Sequence, residues 1–286
     1  MRNKELVLLH LDKLLGSNVV LKDEEDFKNK LSNMVEDGVD NLQFVSDFDD
    51  TITKHIVDGK RGLTSFDVFI RAKSISQVCI DRVKAHLSML EPNLFNANLE
   101  PDQQVQFDRE LAKLLACSVG ERIGLAEIHE AVERVVTPLK DGCKELLTLL
   151  SDLRVPLTVV SAGSGEVIEK MLKDFNAKVV ANYVKFQDDH ITELLKPNIG
   201  MFNKHKVPLP IDPSRSNIIV IGDFAWDSKI ADNVVNVKNT LKIGFFYGRK
   251  NESIEQDLNF FDVLLLDDES MNVALGILKL VAKIDE

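Results

Sequence analysis

Apolar runs and amphipathic stretches alternate along the second half of the chain. Residues 156–160, 178–186, 217–221, 241–247 and 263–266 read as strands, being rich in β-branched and aromatic residues. Between them, residues 139–153, 166–175 and 271–284 carry apolar positions at helical spacing. The run 217–221 is apolar at nearly every position, as expected of a parallel strand buried on both faces. Strands separated by helices predict βαβ units with right-handed crossovers, and so a parallel sheet.

The first half reads differently. Residues 3–16 and 23–36 predict two helices, and 43–46 a first strand. From residue 59 to about 136 the periodicity is helical, over 73–90, 102–117 and 125–136, with Pro92 and Pro101 bracketing a polar loop. No strand is expected in that interval, which predicts an all-helical insertion of a size typical of small domains. The fold class expected is α/β: a Rossmann-like, doubly wound parallel sheet core with an inserted all-helical cap. Residues 1–55 and 137–286 form the core and 56–136 the cap.

Composition narrows the function. Of 286 residues, 44% are hydrophobic and 28% charged, which is ordinary globular usage, and the formal net charge is −11. That balance, with no basic run, argues against a nucleic-acid partner. Three cysteines, none in a Cys-x-x-Cys pair, suggest neither a disulfide framework nor a zinc site. No window reaches the ~20 apolar residues of a membrane span. The expectation is a soluble cytoplasmic protein, a monomer or weak oligomer.

Chemistry concentrates where apolar strands end. The first strand runs into Asp47, Phe48, Asp49, Asp50 and Thr51. Two carboxylates two residues apart at a strand end would face the same side. They would repel unless a cation or a proton lay between them. An Asp-rich turn is the plainer reading of that stretch alone. Ser161, followed by Ala162 and Gly163, closes a second strand, and Asp223 with Asp227 follows a third. Lys204 lies in Phe202-Asn203-Lys204-His205.

In α/β sheets, ligands gather at the carboxyl ends of strands, and a carboxylate that accepts a phosphoryl group needs this kind of company. Asp47 would be the nucleophile, and Asp49 the general acid and then base. Ser161 and the N–H groups of Ala162 and Gly163 would hold phosphate oxygens. Lys204 would balance charge. Asp47, Asp49 and Asp223 would hold Mg²⁺, with Asp227 a metal partner acting directly or through water.

The ordered set Asp-x-Asp-x-Thr, Ser, Lys and Gly-Asp-x-x-x-Asp resembles the haloacid dehalogenase superfamily. Within it, Gly59-Lys60-Arg61, Ser161-Ala162-Gly163-x-Gly165, Phe202-Asn203-Lys204-His205 and Leu241-Lys242-Ile243-Gly244 are similar to the eukaryotic cytosolic pyrimidine 5′-nucleotidases. The resemblance implies Mg²⁺-dependent hydrolysis of nucleoside 5′-monophosphates through an aspartyl-phosphate. It also places Phe66, where the family carries His, in substrate binding. The cap helix near residues 106–113 offers Phe107 and Glu110 but none of the family's Trp or Tyr. Another small phosphomonoester is therefore the alternative substrate, and a catalytically inactive binding protein the alternative class. Among remaining signals, Asp267 to Ser270 reads as a cap for the last helix, and Trp226 fits either base stacking or packing against the cap.

Overall fold

The computed structural model describes residues 16–135 and 137–284. The helix expected over 3–16 falls outside them. The strands are β1 (Val19–Leu21), β2 (Leu42–Ser46), the two-residue β3 (Ile56–Val57) and β4 (Lys60–Arg61), β5 (Leu157–Ser164), β6 (Ala177–Asn182), β7 (Val184–Gln187), β8 (His190–Leu194), β9 (Asn217–Gly222), β10 (Asn239–Phe246) and β11 (Val263–Leu266). Seven form one sheet in the order β1-β11-β10-β9-β2-β5-β6, all parallel except the β1–β11 edge pair. The chain order reverses between β2 and its neighbours β9 and β5, so the ends of those three strands form the natural ligand mouth.

Period-two alternation supplies both faces of the sheet. Phe44, Val159, Ile219 and Ile221 point into one layer with Leu31, Met34 and Leu278. Val45, Val160, Ile218 and Val220 point into the other with Ile230 and Ala231. The helix Glu24–Asp37 lies on the first face. Asp23 caps it by accepting from Asp26 N–H at 2.9 Å, and it buries Phe27, Leu31, Met34 and Val35. Each such side chain contributes roughly 1.5–3 kcal/mol by burial.

The cap comprises the helices Ser65–Phe69, Gln77–Leu90, Pro101–Ala116 and Leu125–Arg134. Its core of Phe69, Cys79, Val83, Leu115 and Ile128 is continuous with Phe202, Phe224 and Val167, which belong to segments beyond the sheet ends. Cap and core thus share one apolar seam beside the mouth.

Several expectations are corrected. The cap is not wholly free of strand, because Lys60–Arg61 pairs with Ile56–Val57 as a small hairpin at its entry. The single strand expected over 178–186 is two, parting at Tyr183, and β7 turns back into β8. Asp188 and Asp189 both adopt positive φ at that turn, the conformation tight hairpins use. The helix expected from residue 73 starts at Gln77, where the Ser76 side chain accepts from Cys79 N–H. Of Asp267 to Ser270, expected to cap the last helix, only Ser270 does so, its Oγ accepting from Asn272 N–H at 3.4 Å. Met271 occupies the cap position with no side-chain bond, and Glu269 accepts instead from the backbone N–H of His55 and Ile56 and from Lys140.

Candidate active site

Asp47 follows the last residue of β2 and is anchored to β9 by its N–H, which donates to Ile221 O at 2.9 Å. Asp223 and Asp227 follow β9. Gly222, the last residue of β9, lets Asp227 pack back against the strand end, since a Cβ there would lie 2.2 Å from the Cβ of Asp227. Asp47, Asp223 and Asp227 are all buried, and one carboxylate oxygen of each lies within 4.8 Å of the others. Thr51 Oγ1 bridges two of them, 3.2 Å from Asp47 and 3.1 Å from Asp223.

Lys204 enters this cluster from the opposite segment. Its buried ammonium donates to Asp47 and, at 2.7 Å, to Asp227. Burial works against its charge, yet Asp227 and Asp47 hold its pKa above the ordinary lysine value. Burial pushes Asp47 and Asp227 toward the neutral form, and Lys204 opposes that push on both. Asp227 also accepts from the N–H groups of Asp223 and Phe224.

Asp49 goes elsewhere. Because β2 ends at Ser46, strand alternation does not govern Asp47 and Asp49, and their carboxylates diverge. Ser65 donates its N–H to Asp49 Oδ1 at 2.6 Å and its hydroxyl to Oδ2 at 2.7 Å. Asp49 is therefore not among the converging carboxylates, the physical reason being that both its oxygens face the cap. Burial lifts its pKa to about 7 despite the two Ser65 bonds.

Ser161 and Gly163 lie where β5 leaves register with its neighbour. Residues 160–164 of β5 span the same length as 180–182 of β6, and the extra residues bulge toward the mouth. Ser161 Oγ accepts from Gly163 N–H at 3.0 Å, and Asn182 Nδ2 donates to Ala162 O at 2.7 Å. A Cβ on Gly163 would fall 1.9 Å from Ser65 Oγ and 2.8 Å from Asp49 Oδ2. The missing side chain leaves a small polar cradle between Asp49, Ser65 and Ser161. Phe66, next to Ser65, is half-buried and stacks on Phe69 at 6.4 Å between ring centroids.

A family model described as pyrimidine 5′-nucleotidase (UMPH-1) matches residues 50–282. The chain belongs to that family. It is accordingly a phosphoric monoester hydrolase of the haloacid dehalogenase type. A 7-methylguanosine phosphate-specific 5′-nucleotidase A of Xenopus laevis is 29% identical, covering 94% of this chain and 97% of that protein. One of Drosophila melanogaster is 28% identical, with 92% and 87% covered. The crystal structure of cytosolic 5′-nucleotidase IIIB bound to cytidine superposes with a TM-score of 0.89 at 26% identity, covering 96% of this chain and 97% of that one. A substrate-bound phosphoserine phosphatase shares the fold, with a TM-score of 0.52 at 17% identity over 82% and 96% of the two chains. Among the described residues, no helix of this nucleotidase is long and apolar enough to cross a membrane.

The sequence assigns no role to three residues around the nucleotidase site. Ser65 is one. Arg249, after β10, is the second: its guanidinium donates to Asp223 Oδ2 at 2.6 Å and to Glu252 at 3.0 Å. It also lies 3.9 Å from the Phe95 ring of the cap. The third is Asp50, which lies 3.2 Å from His55 and 3.4 Å from both Arg61 and Arg249. Burial raises its pKa, but these partners outweigh it and hold the carboxyl below the usual range. The Gly-Lys-Arg element was the one available hint, since Arg61 belongs to it. Phe224 and Trp226, in the loop after β9, face the cap. Phe224 packs edge-on against Phe95, and Trp226 Nε1 donates to Ala97 O at 3.1 Å.

Proposed function

We propose that this chain is a Mg²⁺-dependent hydrolase of nucleoside 5′-monophosphates that works through an aspartyl-phosphate on Asp47. The observation that carries the reading is the convergence of Asp47, Asp223 and Asp227 around one point, with Lys204 between two of them. Hard carboxylate oxygens suit Mg²⁺, which takes one or two carboxylates together with water and phosphate oxygens. Three buried carboxylates against the charges of Lys204 and Arg249 also leave an anionic excess that a divalent cation would offset. Asp47, Asp223 and Asp227 would hold the ion, which when bound supplies neutralisation of the phosphate charge.

The remaining steps belong to the chain. Asp47 attacks phosphorus in line with the leaving 5′-oxygen, and Asp49 donates the proton that oxygen needs. A pKa near 7 lets Asp49 hold that proton at working pH and later take one from the attacking water. The bulge at Ser161–Gly163 offers a hydroxyl and backbone N–H groups to the phosphate oxygens, and Lys204 keeps the nucleophile's charge tolerable.

The 7-methylguanosine phosphate in the relatives' names and the cytidine bound in the solved structure support a nucleotide. Cytosolic naming of a Caenorhabditis elegans relative supports a cytoplasmic setting. The test is phosphate release with Mg²⁺ from UMP, CMP, AMP, 7-methyl-GMP and sugar phosphates. Nucleotide turnover that stops on chelation is expected. Release from sugar phosphates alone would remove the nucleotide reading, and release from none would remove the enzyme.

A further inference from the structure

We propose that Asp108, on the cap helix Pro101–Ala116, is a positioning residue that holds Lys204 in place from across the domain boundary. The inference rests on the role given to Lys204 under the proposed function. Asp108 Oδ1 accepts from Phe202 N–H at 3.1 Å, and the neighbouring Met201 backbone also favours its charged form. Two residues beyond Phe202, Lys204 donates to Asp47 and Asp227.

The turn that Asp108 grips is built to receive it. A Cβ on Gly200 would lie 2.2 Å from both Cγ and Oδ1 of Asp108, so only glycine admits the carboxylate. Asn203 Oδ1 accepts from Gly200 N–H at 2.9 Å, closing the turn on itself. On its core side, Asn182 braces the segment by exchanging hydrogen bonds of 2.7 and 2.8 Å with Ile199. Phe107, next to Asp108 on the same helix, packs edge-on against Phe202 at 5.6 Å. The cap therefore fixes residues 200–202 by a polar and an apolar contact at one place.

A lysine side chain has four rotatable bonds, so its ammonium is placed well only if its backbone is. Reacting groups tolerate little displacement, and a shift of about 1 Å can cost on the order of 10²-fold. Burial pushes the Asp108 carboxyl up to about 6, against the bond from Phe202 and the neighbouring Met201 backbone, so it is ionised at neutral pH and a strong acceptor. Asp108 also lines an open cavity of about 590 Å³ with Asn198, Asn203 and Lys206. Water would reach the 201 and 202 amides once the carboxylate was removed.

The test compares wild type, Asp108→Ala, Asp108→Asn and Gly200→Ala. Two readouts are used: p-nitrophenyl phosphate turnover with Mg²⁺, and amide hydrogen exchange. For Asp108→Ala we expect kcat lower by about 10-fold or more, with KM changed by less than about 2-fold. Amides in 200–206 should exchange about 10-fold faster while the sheet is unchanged. Asp108→Asn, which keeps an acceptor oxygen, should retain kcat to within about 3-fold, and Gly200→Ala should behave like Asp108→Ala. Unchanged kcat in Asp108→Ala, with only a lower Tm, would reduce Asp108 to a packing role and overturn the proposal. Unchanged exchange at 200–206 would overturn it equally. Should the wild type hydrolyse no phosphomonoester, the proposed function fails on its own account, and exchange alone decides whether Asp108 holds the segment.

Discussion

One residue of the cap, Ser65, engages both oxygens of the Asp49 carboxylate, its N–H at 2.6 Å from one and its hydroxyl at 2.7 Å from the other. The same hydroxyl accepts from Ser164 N–H at 3.2 Å, so the cap, Asp49 and the end of β5 meet at a single oxygen. The sign of the first predictions follows from that arrangement.

If Asp49 is the acid that protonates the leaving oxygen, kcat/KM should fall as pH rises through about 7, where burial has lifted its titration. Asp49→Asn should abolish this limb and lower kcat/KM by about 10²–10⁴-fold. A pH–rate profile on both proteins checks it. The same limb in Asp49→Asn would assign the titration to another group.

Ser65→Ala should move the limb upward. The Ser65 bonds favour the charged carboxylate and oppose the burial that raises its pKa. Removing the hydroxyl removes one of those bonds, so protonation becomes easier and the limb shifts by about one pH unit to the alkaline side. A shift to lower pH would mean that the bond favours the neutral acid.

Gly163→Ala should inactivate without unfolding. Its new Cβ meets Ser65 Oγ at 1.9 Å and Asp49 Oδ2 at 2.8 Å, so these groups must move out of the cradle. We expect kcat/KM to drop about 100-fold, with Tm changed by no more than about 5 °C. Near-normal turnover would show that the cradle does not receive the phosphate.

Arg249→Met should destabilise the protein most when divalent cations are absent. The guanidinium is buried against Asp223, Glu252 and Asp50, and its removal strands their charges. A loss of about 3–5 kcal/mol in urea unfolding with chelator present is expected, and Mg²⁺ should restore part of it by binding the folded state. A loss below about 1 kcal/mol would mean that Arg249 does not compensate the cluster.

What the sequence reveals of this site depends on how local each signal is. Asp47, Ser161, Asp223 and Asp227 each stand just after or within the end of an apolar strand, where punctuation by Gly and Asp is visible in a few residues. Parallel strands then bring those ends together without any further information. Ser65, Asp108 and Arg249 act across separations of 16, 94 and 26 residues, the first two on partners set by how the cap docks and the third on the end of the neighbouring strand β9. Nothing in their own neighbourhoods marks them. The hairpin of β7 and β8 was hidden for a related reason, since its turn uses two aspartates rather than Asn-Gly. Trp226 fitted two roles by type, and only its bond to Ala97 O places it against the cap.

The most direct test of the account is to look for phosphate on the enzyme. The protein would be mixed with UMP or 7-methyl-GMP and Mg²⁺, quenched in acid within milliseconds, and digested for mass spectrometry. The account predicts a transient acid-stable, alkali-labile phosphate on Asp47, absent when Asp47 is replaced by Asn. Steady phosphate release with no label on Asp47, or from the Asp47→Asn protein, would contradict it.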